Sequence, residues 1–274
     1  MLFAALGDLS PIPQPPAGLH VNHDLQAAFT LVQLVPIAAG LAVSLHWWRS
    51  RRSLLPLICL AGGALTMFLE PIIDVCWLAF FPRSGHWIGF EAFGRPMPVW
   101  LCLAYVWFFG GQTFVAWLRL RDDPGPRQVW RTWALFIATD LALEAAGLAC
   151  GLYLYYGRQP FDVGGLPLLA PLVNASVPVM AAVVLHLLVP ELRGASRLLA
   201  VLVVPFVDAV GNLGPGLPTF TVLNTNLPSW TGHVAAVASA VLVVLLLRLS
   251  GAAVARLPGR FSPAAGSPAV SARP

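Results

Sequence analysis

Lysine is absent from this chain of 274 residues, and charge of either sign is scarce, at 10% of residues against 58% apolar ones. Without a lysine amine no retinal Schiff base can form, which removes one seven-helix class. So little polar surface also excludes a soluble domain of this size. With a mean hydropathy of +0.76, the chain reads as a polytopic membrane protein.

Cysteine and metal-ligand spacing are sparse too. Cys59, Cys102 and Cys150 fall in apolar runs and Cys76 just past one, with no CxxC pair, so they read as small packing residues. His20 and His23 stand in a Pro-rich stretch without cysteines at ligand spacing, and His46, His86, His186 and His233 are scattered, so no metal is expected. The adjacent pair Asp122-Asp123 runs into Pro-Gly-Pro and lacks the Asp-rich pattern that holds Mg²⁺ against a diphosphate. The basic residues form no cluster with interleaved aromatics, so the +4 charge does not imply nucleic acid as a partner. No cofactor is expected.

Hydropathy predicts seven spans, at about 25–46, 54–73, 98–118, 131–152, 166–189, 196–213 and 230–249, each approaching the roughly 20 residues that cross a bilayer. The sixth is the shortest. Thirteen of the sixteen arginines fall on one side: Arg49, Arg51, Arg52, Arg119, Arg121, Arg127, Arg131, Arg193, Arg197, Arg248, Arg256, Arg260 and Arg273. Only Arg83, Arg95 and Arg158 fall on the other. That asymmetry predicts an external N-terminus and a cytoplasmic C-terminus. The expected fold is therefore all-α, a seven-helix bundle over residues 25–250 in a cell membrane of the bacterial plasma-membrane kind. Residues 1–24 are expected as an external tail without a removable signal peptide, and 251–274 as a disordered cytoplasmic tail. No internal repeat is visible.

Against this apolar background five carboxylates stand out: Glu70, Asp74, Asp140, Glu144 and Asp208. A charged group at bilayer depth costs several kcal/mol, so each is expected to face a protein interior or a wet cavity. Glu70 and Asp74, Asp140 and Glu144, and Asp208 and Asn212 are each four apart, so each pair projects from one helix face. Counting along the spans brings these groups and Asn174 to overlapping heights in the middle and outer membrane. A polar pocket open to the external half is expected. Pro71 is placed to kink or end its helix within the first pair. Two carboxyls so close in low dielectric cannot both ionise cheaply, so one is expected to hold a proton, as a general acid requires.

Residues 82–98 mix aromatics, glycines and single charges, as a lid over an amphiphilic ligand or an interfacial aromatic belt would. Arg95 in that stretch is placed to fold back over Glu70 or Asp74. Tyr105, Trp107, Phe108 and Phe109 offer faces that stabilise a developing cation, or else packing and lipid contacts. Gly214 to Asn226 reads as an uncharged external loop whose Thr219, Thr221, Asn224 and Asn226 cap the cavity.

Glu70-Pro-Ile-Ile-Asp74, Gly94-Arg-Pro-Met-Pro98, Tyr105-Val-Trp-Phe-Phe-Gly-Gly111 and Pro218-Thr-Phe-Thr-Val-Leu-Asn-Thr225 together resemble the AveC-type spirocyclase family of actinobacterial membrane proteins, over about residues 30–245. A more distant similarity is to small seven-helix membrane terpenoid cyclases, in which Glu70 and Asp208 would match an acidic pair that protonates an epoxide. Both resemblances imply a cofactor-independent cyclase acting on a hydrophobic polyketide or terpenoid. Glu70 is then the preferred acid, Asp74 and Asp208 share or tune its proton, and Asp140 and Glu144 form a second cluster. Arg95, Tyr105, Trp107, Phe109, Asn174 and Asn212 are the expected substrate contacts. A proton-coupled transporter or lipid-binding membrane protein is the alternative that the same carboxylates allow.

Overall fold

The computed structural model describes residues 13–256. Of the expected tails, residues 1–12 and 257–274 fall outside the described residues, as do Arg260 and Arg273, whereas Val21 is buried and His23 and Asp24 already belong to a helix.

Helix α1 (His23–Arg51) starts where the Asn22 side chain accepts hydrogen bonds from the backbone N–H groups of Asp24 and Leu25, at 2.9 and 3.0 Å. It ends at Arg52 in a left-handed conformation. Next come α2 (Leu55–Thr66) and α3 (Glu70–Trp77), bent by 52° across the three residues between them. Pro71 lies in the first turn of α3, where its missing N–H costs no helical bond. The remaining long helices are α4 (Val99–Asp122), α5 (Pro126–Ala149), α6 (Leu169–Leu188), α7 (Gly194–Leu223) and α8 (Ser229–Arg256). Six helices are long and apolar enough to cross a membrane, or seven spans if the bent α2–α3 pair is one.

Short strands join the helices at one end. β1 (Ala79–Phe80) pairs antiparallel with β4 (Leu154–Tyr155), β2 (Ile88–Ala92) with β3 (Arg95–Pro98), and β5 (Asp162–Val163) with β6 (Leu166–Pro167). The Val21 N–H donates to the Ser84 carbonyl at the same end, and the Asn224 amide donates to the Cys76 carbonyl. Arg83, Arg95 and Arg158 belong to these loops. Most of the remaining described arginines lie at or beside the helix ends opposite, where Arg51 and Arg121 stack over Trp47, while Arg131 and Arg248 lie within α5 and α8.

Three expectations change. The segment from Gly214 is not a loop: α7 continues through it to Leu223, and Thr219 is buried with its hydroxyl 2.8 Å from that of Ser239 on α8. Pro215 is tolerated there because it sits in the first turn after a π-helical stretch, Ala209–Leu213. The span expected to be shortest thereby becomes the longest helix. The expected tail from residue 251 likewise begins as helix, because α8 runs to Arg256. Residues 82–98, expected as an irregular stretch, are largely a hairpin, with β3 buried along its length.

Candidate functional site

The site is built at the break between α2 and α3. Helix α2 crosses the π-helical segment of α4, Val106–Gly111, at backbone contact: a Cβ on Gly63 would lie 2.5 Å from the Gly110 nitrogen, and one on Gly110 2.4 Å from the Cys59 carbonyl oxygen. Only glycine fits at both positions. The close crossing carries Tyr105, the residue before the π segment, to the start of α3, where its hydroxyl donates to Glu70 Oε2. A π segment re-aims the side chains beside it, which is why such segments gather at functional sites. A second one follows Asp208.

One turn further along α3, buried Asp74 enters the same cavity, and its backbone carbonyl receives the capping N–H of Leu78. From the opposite side α5 contributes Asp140 and Glu144. Asp140 Oδ2 accepts from the Asn174 amide at 3.4 Å, and Asn174 Oδ1 accepts from Asn212 at 3.0 Å, linking α5, α6 and α7. Glu144 takes two phenols. The Tyr153 hydroxyl lies 2.5 Å from Oε2, and the Tyr155 hydroxyl 3.1 and 3.2 Å from Oε2 and Oε1. Burial pushes both tyrosine hydroxyls well above their ordinary range, and the neighbouring Glu144 charge adds to this, so both remain donors.

Between these walls lies a cavity lined by four carboxylates, by Tyr105, Tyr153 and Tyr155, and by the rings of Phe81, Trp100, Phe108 and Phe109. Its volume is about 70 Å³. That is well below the roughly 300–1,000 Å³ of small-molecule sites, so a bulky guest must displace the side chains that line it.

Of the residues singled out in the sequence, Glu70, Asp74, Asp140, Glu144, Asn174, Tyr105, Phe108 and Phe109 line this one cavity. Asp208 and Asn212 do not line it. Both are fully buried behind it, and neither Asp208 oxygen has a hydrogen-bond donor among the described residues. Trp107 is turned away, its indole N–H donating to Gln33 Oε1 on α1 at 2.7 Å. Trp107 lies within the π segment, where a regular helical count does not give side-chain direction. Arg95 is buried, but its guanidinium donates to the Tyr156 hydroxyl at 2.5 Å and makes no ion pair with Glu70 or Asp74. Among the described residues no group of three or more His, Cys, Asp or Glu side chains is arranged to hold a metal ion.

The residues that sequence reasoning missed are Tyr153, Tyr155 and Tyr156. The chain has only four tyrosines, against fifteen phenylalanines and ten tryptophans. All four of the chain's tyrosines hydrogen-bond ionisable groups here: Tyr105 to Glu70, Tyr153 and Tyr155 to Glu144, and Tyr156 with Arg95. Their scarcity and the run Tyr153-Leu-Tyr-Tyr156 were the available signal. Buried phenols need partners, and apolar helices offer few beyond these acids.

The chain matches no protein-family model, curated protein or solved structure.

Proposed function

We propose that the protein is an integral-membrane cyclase that closes rings in a hydrophobic polyketide or terpenoid by acid catalysis, with Glu70 as the proton donor. The observation that carries this reading is the cavity itself: four carboxyls, of which Glu70 and Glu144 accept hydrogen bonds from phenols, lining one space with aromatic rings. Protonating a hemiketal hydroxyl or an epoxide develops a cation. Aromatic faces and a carboxylate stabilise such a cation once bulk water is excluded. The reading is the one that the likeness to AveC-type spirocyclases implies, and it needs neither metal nor nucleotide. The arginine distribution supports an external N-terminus and a cytoplasmic C-terminus, so the cavity opens toward the outer leaflet.

A proton-coupled transporter is the second reading. It is favoured by the amide chain from Asn212 through Asn174 to Asp140, and by the water-scale width of the cavity. One experiment separates the two. Purified protein in liposomes receives a long-chain ketone bearing a hydroxyl four carbons away on each side, without added metal or nucleotide. Spiroketal formation above the protein-free rate supports the cyclase. Proton or solute movement without product supports the transporter.

A further inference from the structure

The Glu70 side of the cavity supplies one phenol to its carboxyl, and the Glu144 side supplies two. The second arrangement is fixed from several directions. Tyr155 is held by the β1–β4 pair, in register with Ala79. Tyr153 stacks on Phe81 with ring centroids 5.0 Å apart, and it folds over α5 where Gly147 leaves room, since a Cβ there would lie 2.6 Å from the ring. Both hydroxyls converge on Glu144 Oε2. Two donors on one carboxyl match a carboxylate, an acceptor-only group, better than an acid that must keep a proton of its own.

We propose that Glu144, positioned by Tyr153 and Tyr155, is the base that takes up the proton released when the ring closes. This rests on the cyclase reading and supplies its second half. In ketal closure Glu70 gives a proton to the hemiketal hydroxyl, the C–O bond breaks and water leaves. The second substrate hydroxyl attacks the oxocarbenium, a new C–O bond forms, and its O–H proton passes to Glu144. The sum is hemiketal alcohol to spiroketal plus water, with the proton moved from Glu70 to Glu144 and returned before the next turnover. Tyr153 and Tyr155 are positioning residues in this scheme. They also withhold a second acid from the cation.

The test uses the full chain in liposomes with the dihydroxy ketone in ¹⁸O-water. Glu144→Gln should form spiroketal about 10²-fold more slowly. It should still exchange ¹⁸O into recovered substrate above the protein-free rate, because Glu70 still expels water and water now recaptures the cation. Tyr155→Phe, which keeps the ring and its packing, should lower kcat with KM unchanged and move the low-pH limb of the kcat profile upward. Ring closure by Glu144→Gln at the wild-type rate would remove the base and leave the cyclase standing. Loss of exchange together with closure in Glu144→Gln, with Tyr155→Phe leaving the pH profile unmoved, would make this side structural. No closure by the wild type would overturn both readings.

Discussion

Tyr105 donates its hydroxyl to Glu70 across the junction of two elements, from the residue before the π segment of α4 to the first residue of α3, just past the 52° break. Removing the hydroxyl leaves a carboxyl oxygen in this largely enclosed site without its donor, at a cost of about 1–3 kcal/mol. Tyr105→Phe should therefore unfold earlier in a detergent thermal melt. It should also close rings more slowly, by less than the Glu70→Gln change does.

The α2–α4 crossing should tolerate no side chain. Gly110→Val drives carbon into the Cys59 carbonyl, and overpacking of this kind costs about 1–3 kcal/mol. Chemical denaturation of the purified variant reads that loss directly. Gly111→Ala is the control, since a Cβ there meets neighbours only at ordinary contact distance.

His86 gives the loop-rich end a pH response. Its Nδ1 lies 2.7 Å from the Pro82 carbonyl, and its Nε2 accepts from the Trp100 indole at 3.3 Å, so the ring is neutral with the proton on Nδ1. Burial lowers its pKa from the ordinary 6.5, partly opposed by the Pro82 hydrogen bond. The stabilisation from the neutral ring is fully present above pH 6.5 and is lost as the pH falls through the lowered value. Protection factors for amide exchange in residues 82–100 should fall in acid in the wild type, and this fall should be blunted in His86→Gln.

Topology can be checked independently. A C-terminal reporter active only in the cytoplasm should give signal, and a cysteine introduced at Arg158 should label from outside. A C-terminal signal from the external face alone would reverse the orientation of the cavity.

How much of this was legible in the sequence depends on the residue. The carboxylates announced themselves because each breaks an apolar run, and the i, i+4 pairs at Glu70–Asp74 and Asp140–Glu144 do share a cavity wall. Pro71 marked the break, which falls just before it. Hydropathy could not give rotation in helices that are apolar all round. Trp107 was thus placed in the cavity, whereas it lies within the π segment with its indole donating to Gln33. Gly and Pro between residues 214 and 218 read as turns, yet tertiary packing of Thr219 on Ser239 holds that stretch helical. The tyrosines of the 150–168 loop were missed because only the close approach of that loop to α5 brings them to Glu144.

The most direct measurement is the rate of ring closure by Glu70→Gln beside the wild type, in liposomes, with fold checked by the thermal melt. The swap keeps shape and a hydrogen-bonding oxygen for Tyr105 while removing the acidic proton. General acid catalysis contributes about 10²–10⁴-fold, and the account predicts a loss of that size in a folded protein. Product formation by Glu70→Gln at the wild-type rate would contradict it.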